Sequence, residues 1–245
     1  MTLEEFFSKN RKVALCFSGG VDSSYLLYAA LHYGAHVQPY YLKTEFQPEF
    51  ELEDARNLAK ELGVKLIIKT ASSLDNPQIV QNDEQRCYHC KNTGLRQIYE
   101  MAKADGYNVV IDGSNADDDP NERPGMKALE EMGILSPLRM ANLTKAQIRA
   151  LSKEANLFTW DKAAYACLAT RIPSGMKLEK EMLQKVERSE RVLFDMGFYD
   201  FRVRVLGDYA RLEIREEQMQ KAIDNRQRII DQIAFDKVLL DLEPR

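Results

Sequence analysis

Short apolar runs alternate with amphipathic stretches through the first half of this chain. In residues 49–62 the apolar positions recur with the period of a helix, and Gly63 follows, as is common just past a helix C-terminus. Strands separated by helices imply a parallel sheet with helices on both faces, so we expect an α/β fold. The predicted strands are Val13–Phe17, Val37–Leu42, Val64–Lys69 and Val109–Ile111, and the predicted helices are Tyr25–Tyr33, Glu49–Leu62 and Glu84–Ala104.

The pattern changes in the second half of the chain. A helix over Leu138–Leu157, with Thr144 as a possible N-cap, is followed by a segment without a clear period that ends in a Pro-Ser-Gly turn. We place a domain boundary there, which gives domains 1–175 and 176–245, the second a small α+β domain. Its predicted elements are a helix over Leu178–Met196, a hairpin of Phe201–Leu206 and Ala210–Ile214 around Gly207-Asp208, a helix over Ile223–Ile233 and a strand over Lys237–Leu242.

Composition narrows the class of protein. The chain has 245 residues, of which 44% are hydrophobic and 29% charged, and no apolar run is long enough to span a bilayer. We therefore expect a soluble, cytoplasmic protein with no membrane partner, in which four cysteines are not a disulfide framework. A net charge of −4 argues mildly against nucleic acid as the main partner, because phosphate backbones favour basic surfaces.

The string Ser18-Gly19-Gly20-Val21-Asp22-Ser23-Ser24 joins the first predicted strand to the first predicted helix. Glycines there let the backbone approach a ligand, and the N–H groups and dipole of a helix start favour an anion. An ordinary tight turn with Asp22 or Ser23 as N-cap is the alternative. The segment Asp112-Gly113-Ser114-Asn115 also follows a strand, so both segments are expected to border one pocket at the carboxyl edge of the sheet.

Three of the four cysteines are candidate ligands or donors. Cys87 and Cys90 form a CxxC at a helix start, and Cys167 lies in an irregular segment rich in small residues. Three thiolates suit a 4Fe-4S cluster with one iron open to another ligand, but a redox pair or unrelated thiols fit the spacing equally. Cys16, inside the first strand, is expected to be a small buried hydrophobe.

Several motifs together resemble a known family. The glycine-serine string resembles the PP-loop of ATP pyrophosphatases and lacks the lysine of a kinase-type P-loop. Taken with the later motifs, the chain resembles the LarE family of ATP-dependent sulfur transferases, over nearly its whole length. The motifs, in order, are SGGVDSS at 18–24, RCYHCK at 86–91, DGSNADD at 112–118, RPG at 123–125, CLATRIPSG at 167–175 and FRVRVLGDYARLEI at 201–214.

The resemblance implies a PP-loop, adenine nucleotide alpha hydrolase-like fold and a defined reaction. The family adenylates each carboxylate of pyridinium-3,5-biscarboxylic acid mononucleotide with ATP and Mg²⁺, releases pyrophosphate and makes a thiocarboxylate for the nickel-pincer nucleotide of lactate racemase. In members with one cysteine, the residue matching Cys167 gives up its own sulfur. Members that also have residues matching Cys87 and Cys90 are thought to hold a 4Fe-4S cluster that carries the sulfide donor, and we favour that version here. The resemblance also implies a homo-oligomer, and the source of the sulfur stays unknown.

The resemblance also assigns residues to roles. Cys167 and Asp22 are the expected catalytic residues, and Cys87, Cys90 and Cys167 the expected cluster ligands. Asp117 and Asp118 are expected to reach Mg²⁺ or to order their loop, with a solvated acidic loop as the alternative. The ATP-binding candidates are Ser18, Gly19, Gly20, Asp22, Ser23, Ser24, Gly113, Asp117 and Asp118.

Arginines dominate the expected substrate site. Arg171, Arg202 and Arg204 are candidates for the substrate's phosphate and carboxylates, because guanidinium binds both in a bidentate manner. Glu190 and Glu213 are candidates for orienting the substrate or these arginines. The alternative is that the strand arginines are exposed and paired with acids, and that the glutamates are ordinary surface residues.

Rival functions share parts of this pattern. A tRNA thiolase also combines a PP-loop with three cysteines, but the acidic charge and the missing RNA-binding module argue against it. An amidating PP-loop enzyme uses ammonia, so the set of cysteines would have no function in it. A nucleotide-sensing or iron–sulfur carrier protein would bind ATP and a cluster but release no pyrophosphate.

Overall fold

The computed structural model describes residues 1–119 and 125–245. The helices are α1 (Leu3–Lys9), α2 (Val21–His32), α3 (Glu49–Glu61), α4 (Pro77–Val80), α5 (Arg86–Ala104), α6 (Gly125–Glu131), α7 (Pro137–Met140), α8 (Lys145–Glu154), α9 (Lys180–Asp195), α10 (Met219–Asp224) and α11 (Arg226–Gln232). The strands are β1 (Lys12–Cys16), β2 (His36–Lys43), β3 (Ile67–Thr70), β4 (Val109–Asp112), β5 (Arg202–Leu206), β6 (Tyr209–Glu213) and β7 (Lys237–Leu240). Short 3₁₀ helices cover Leu168–Arg171 and Glu216–Gln218.

Contacts divide the chain into two units, each of which is discontinuous in sequence. The first unit comprises Met1–Thr44, Glu49–Ala71 and Cys87–Lys162. The second comprises Glu45–Pro48, Ser72–Arg86 and Ala163–Arg245. The domain boundary near Gly175 stays a prediction.

The first unit is built on a four-stranded sheet in the order β3-β2-β1-β4, with every pair of neighbours parallel. Side chains of β1 alternate between two apolar clusters. Val13 and Leu15 pack in the cluster that also contains residues of α1, α2 and α3, whereas Ala14 packs with residues of α5 and α6. Helices therefore cover both faces of a parallel sheet, and the predicted α/β fold is confirmed.

The second unit contains a three-stranded mixed sheet in the order β5-β6-β7. Strands β5 and β6 are antiparallel and are joined by Gly207-Asp208, with Leu206 opposite Tyr209. Gly207 has φ +59°, a conformation that glycine adopts without strain. Strand β7 pairs with β6 in parallel. The predicted C-terminal α+β architecture is confirmed.

Two predicted helices are each divided in the structure. The helix expected over Leu138–Leu157 is interrupted between α7 and α8, where Asn142 has φ +54°. Thr144 starts α8 with a capping box shared with Gln147, so the predicted N-cap marks the true helix start. The helix expected over Ile223–Ile233 is likewise divided at Asn225, which ends α10 and begins α11. Both breaks are short, so the apolar residues keep the spacing of a single helix across them. The sequence pattern therefore predicted one continuous helix in each case.

Two further predictions concern membrane-spanning segments and the loop over 117–125. No helix in the described part of the chain is long and apolar enough to cross a membrane. Arg123 and Pro124 of the RPG motif, and most of the loop expected over 117–125, lie outside the described residues.

Candidate active site

The predicted nucleotide loop lies between β1 and α2, at the carboxyl edge of the parallel sheet. Helix α2 begins at Val21 with Gly20 as N-cap, and no side chain in the described residues caps it. The alternative of an N-cap at Asp22 or Ser23 is therefore wrong, and the first amides of α2 face no capping oxygen. A helix start of this kind is suited to an anion.

Serine hydroxyls hold the loop in shape. Ser23 Oγ donates to the Gly20 carbonyl oxygen at 3.2 Å and lies 3.1 Å from Ser18 Oγ. Ser18 N–H donates to Ser23 Oγ at 3.3 Å. Ser24 is fully buried, and its Oγ has no hydrogen-bond partner in the described part of the chain. Ser18 and Ser23 thus order the loop from within, and their contact with ATP stays a prediction.

Asp22 is held at the start of α2 by a distant lysine. Its Oδ2 accepts from Lys145 Nζ at 2.6 Å, and Lys145 is the first residue of α8. Its Oδ1 is buried and has no hydrogen-bond partner in the parts of the chain that the structure describes. A buried carboxylate oxygen without a donor is a group that a hard cation such as Mg²⁺ would satisfy.

The carboxyl end of β4 packs directly on the start of α2. A Cβ placed on Gly113 would lie 2.9 Å from Ser23 N and 3.1 Å from Ser23 Cα. Beside it, Asp112 accepts from Ser114 Oγ and Ser136 Oγ, each at 2.6 Å, and lies 3.9 Å from Lys91 Nζ. The structure thus brings together in the first unit the two segments that the sequence places at strand ends.

A Gly113→Ala substitution should disturb the loop and the fold together. The added methyl meets backbone atoms of Ser23 that have no freedom to rotate away, so we expect a loss of about 1–3 kcal/mol in unfolding free energy and weaker ATP binding. Urea unfolding and calorimetric titration with ATP measure the two effects. Gly94→Ala is the matched control, because its Cβ would meet only the tip of the flexible Leu42 side chain, at 2.7 Å. Equal ATP affinity in Gly113→Ala and the wild-type protein would contradict this expectation.

Asp117 and Asp118 both bond to backbone amides near their own loop. Asp117 accepts from Lys145 N–H at 2.7 Å, and the buried Asp118 accepts from Asn115 N–H at 3.0 Å. These bonds fit the loop-ordering role that the sequence suggested for them. Lys145 thus donates its backbone N–H to Asp117 and its side-chain ammonium to Asp22. It links these two candidate carboxylates.

The cysteine pair of the CxxC lies near the start of α5, in the first unit. Cys87 is exposed and Cys90 half-buried, three residues apart on a helix, where neighbouring side chains can share one metal. Cys16 closes β1, where burial and then Asp112 raise the pKa of its thiol. The side chain of Cys16 is half-buried rather than fully buried as expected, and it packs against the apolar cluster that contains Ala14.

Cys167 belongs to the second unit, where it is half-buried and precedes the 3₁₀ helix Leu168–Arg171. Its carbonyl oxygen accepts from Thr170 N at 3.0 Å and Thr170 Oγ1 at 2.7 Å. Within the described residues, no three His, Cys, Asp or Glu side chains are grouped as a metal site. The thiolate chemistry of the cysteines suits an iron–sulfur cluster, but their joint ligation stays a proposal.

The second unit contains a buried ion pair. Arg171 Nε donates to Glu190 Oε1 at 2.7 Å, with 0% and 2% of the two side chains exposed. Tyr165 donates its hydroxyl to Glu190, and Val203 N–H donates to Glu190 Oε1 at 3.0 Å. Burial lowers the pKa of Arg171, but the hydrogen bond and charge of Glu190 outweigh it and the pKa is raised.

Arg202 and Arg204 bond to carbonyl oxygens of the same segment. Arg202 Nη2 donates to the Ala164 carbonyl at 2.7 Å, and Arg204 Nη1 donates to the Thr170 carbonyl at 2.7 Å. Desolvation, then Arg171 and Arg245, lowers the pKa of Arg202 to about 10. Arg204 Nε also donates to Glu213 Oε1 at 2.6 Å and keeps 34% of its side chain exposed.

Four residues of these surroundings were not identified as candidates from the sequence. They are Lys91, Lys145, Tyr165 and Lys162, whose ammonium contacts Gly19 of the loop. Lys145 follows a recognisable helix N-cap, and that position was its one available signal. The partners of Lys145 and Lys162 are more than a hundred residues away, so only packing could identify them.

The sequence of this chain is similar to those of known proteins. The sequence model of the asparagine synthase family matches residues 5–119, which include the loop, β4 and the CxxC. The pyridinium-3,5-bisthiocarboxylic acid mononucleotide synthase of Lactiplantibacillus plantarum is 31% identical over 237 residues, covering 95% of this chain and 86% of the relative. The chain belongs to the LarE family.

Two uncharacterized proteins are also similar to this chain. An uncharacterized protein of Synechocystis is 36% identical over 226 residues, covering 91% of this chain and 84% of the relative. An uncharacterized protein of Methanocaldococcus jannaschii is 33% identical over 245 residues, covering 98% of this chain and 93% of the relative. Membership of the LarE family, together with the PP-loop match, makes this chain an ATP-using enzyme.

Proposed function

We propose that this protein is an ATP-dependent sulfur transferase that converts the carboxylates of pyridinium-3,5-biscarboxylic acid mononucleotide to thiocarboxylates, for the nickel-pincer nucleotide. The observation that carries the proposal is the match over 95% of the chain to a synthase named for the bisthiocarboxylic product. The uncapped start of α2, with Asp22 held beside it by Lys145, supports the ATP half of the reaction.

The first half-reaction makes the carboxylate electrophilic. A carboxylate resists nucleophiles because its charge repels them and its oxide leaves poorly. Its oxygen attacks the α-phosphate of ATP, pyrophosphate leaves, and the acyl adenylate that results carries AMP as a good leaving group. Amides at the start of α2 and Mg²⁺ near Asp22 Oδ1 would stabilise the departing pyrophosphate.

The second half-reaction brings sulfur to the acyl carbon, and AMP leaves. Cys87, Cys90 and Cys167 would hold a 4Fe-4S cluster, which when bound supplies a sulfide donor. The exposure of Cys87 and its place on the same helix turn as Cys90 support this assignment. Donation of the Cys167 sulfur itself is the alternative, and the two differ in whether Cys87 is needed.

The second unit is proposed to bind the anionic substrate. Arg204 is the most exposed of the three candidate arginines and would meet the phosphate or a carboxylate, while Glu213 fixes its direction. Arg202 lies beside the Tyr165 ring, 5.3 Å from its centroid, and would add positive charge. Arg171 and Glu190, both buried, would keep these groups in place. The homo-oligomer remains an expectation from the family resemblance.

ATP–pyrophosphate exchange tests the proposal. Labelled pyrophosphate should enter ATP when the dicarboxylate mononucleotide is present, because adenylation is reversible, and should not enter ATP without it. Bulk tRNA in place of the mononucleotide is the comparison. Exchange with tRNA alone would identify a tRNA thiolase, and absence of exchange with any acceptor, despite ATP binding, would favour a nucleotide-sensing protein.

A further inference from the structure

Lys162 joins helix α3 to the backbone of the nucleotide loop. Its Nζ lies 2.7 Å from Asp54 Oδ2 and 3.2 Å from Glu51 Oε1, both on α3. It also donates to the carbonyl oxygen of Gly19 at 3.4 Å. Only 15% of the Lys162 side chain is exposed, so solvent screens these charges weakly. One enclosed ammonium therefore contacts two carboxylates and a carbonyl of the loop.

The main chain of Lys162 is itself held in place. Arg149 of α8 donates to the Lys162 carbonyl oxygen at 2.8 Å and to the Trp160 carbonyl oxygen at 2.7 Å. Lys162 N–H donates to the Thr159 carbonyl at 3.1 Å. The ammonium thus extends from a fixed backbone, and its reach to Gly19 does not depend on a loose chain segment.

The Gly19–Gly20 peptide is the part of the loop that most needs such support. Neither residue has a Cβ, so rotation of the peptide between them meets little steric resistance. Gly19 has φ +71°, and a Cβ placed on it would lie 3.1 Å from Ala55 Cβ of α3. The glycine is thus required by both its conformation and the approach of α3, and nothing in its own side chain fixes the peptide.

The direction of the Gly19 carbonyl sets the direction of the next amide. In a trans peptide the C=O and N–H point in opposite directions. A carbonyl that faces Lys162 therefore turns the Gly20 N–H away from Lys162. The contact of that N–H with Ser18 Oγ is long, at 3.4 Å, which leaves it able to bond to an anion.

We propose that Lys162 is a positioning residue for ATP: seated on Glu51 and Asp54, it fixes the Gly19 carbonyl and thereby directs the Gly20 N–H to the terminal phosphates. The inference rests on the proposed use of ATP at this loop. It adds a residue more than a hundred positions away from the glycines, and it assigns α3 a role in shaping the loop.

The two carboxylates match this role. Burial raises the pKa of Glu51, and the charge and hydrogen bond of Lys162 oppose that shift. The positive charge of Lys162 compensates the repulsion between the carboxylates of Glu51 and Asp54 near the start of α3. Without it, their negative charge would lie close to the loop and oppose an incoming polyphosphate.

The test is to substitute Lys162 by methionine and by arginine and to titrate each protein with AMP and with Mg²⁺ and α,β-methylene-ATP, which cannot be split at the α-phosphate. We expect K162M to bind the ATP analogue about ten- to hundredfold more weakly, the range for a lost bond to a charged donor, with AMP affinity unchanged. K162R, which keeps the charge, should recover most of the affinity.

Lys43→Met is the matched control. Lys43 Nζ lies 3.2 Å from Glu49 Oε2, which is also on α3, and the two side chains are 19% and 56% exposed. Lys43→Met therefore removes a lysine–carboxylate pair from the same helix. Thermal unfolding of the nucleotide-free proteins shows any loss of stability that is common to K43M and K162M. Nucleotide affinities of K43M should equal those of the wild-type protein.

Two outcomes would overturn the inference. One is wild-type affinity of K162M for the analogue. The other is an equal loss for AMP and the analogue in K162M that only parallels its loss of thermal stability. If the wild-type protein itself binds neither nucleotide, it is the proposed function that fails, and the titration distinguishes that failure from the first two.

Discussion

Replacing Cys167 by serine should abolish formation of the thiocarboxylate, by at least about a thousandfold, while ATP–pyrophosphate exchange driven by the dicarboxylate continues. Serine has nearly the size of cysteine but neither ligates iron well nor supplies sulfur. Thr170 and Arg171 donate to the backbone carbonyl oxygen of Cys167, and serine keeps that acceptor. Product analysis by mass spectrometry and the exchange assay measure the two half-reactions separately.

Cys87→Ser then separates the two sulfur donors. If a cluster supplies the sulfur, the anaerobically purified wild-type protein should be brown with about four irons per chain, and Cys87→Ser should lose both the iron and the product. If Cys167 donates its own sulfur, Cys87→Ser should retain activity, and the wild-type protein should lose the mass of H₂S after one turnover.

Cys16→Ala is the control for loss of a cysteine as such. Cys16 is half-buried at the end of β1, where burial raises the pKa of its thiol, so Cys16→Ala should affect neither iron content nor product. Wild-type product formation by Cys167→Ser would eliminate both forms of the sulfur-transfer proposal at once. The iron content, which is read without activity, tests the cluster ligands independently of the substrate.

Glu190→Ala should lower the unfolding free energy by about 3–5 kcal/mol, because it leaves a buried arginine without its partner. Glu190 accepts hydrogen bonds from Arg171, Tyr165 and the backbone N–H of Val203. The side chains of Arg171 and Glu190 are 0% and 2% exposed, so water cannot replace the lost acceptor without opening the structure. Urea denaturation, followed by circular dichroism, measures the change.

The same helix offers a matched control in Asp195→Ala. Asp195 pairs with Arg191 at 2.9 Å, one helix turn apart, with more than half of each side chain exposed. Its loss should change stability by no more than about 0.5 kcal/mol. A double variant, Arg171→Met with Glu190→Met, should be more stable than Glu190→Ala, since it leaves no unpaired charge. A Glu190→Ala protein as stable as Asp195→Ala would show that the buried pair is not a stabilising centre of the unit.

Much of the fold could be predicted because its signals are local. The alternation of apolar runs and amphipathic stretches in residues 13–111 specified the strands and helices, and their order implied a parallel sheet. Gly207-Asp208 marked a hairpin, since a two-residue turn with glycine suits that connection. The breaks at Asn142 and Asn225 escaped prediction because a short interruption leaves the apolar period intact.

The sequence by itself determined that the chain is an ATP-using enzyme, because the glycine-serine string is a local motif, and the CxxC with the distant Cys167 predicts sulfur chemistry. Tertiary structure alone decided how those groups are held. Lys145 reaches Asp22 and Lys162 reaches Gly19 only because the fold brings together segments that are more than a hundred residues apart. It also decided that Arg171 and Glu190 are buried against each other. Ion pairs between distant residues depend on packing and desolvation, and neither produces a periodic pattern in the sequence.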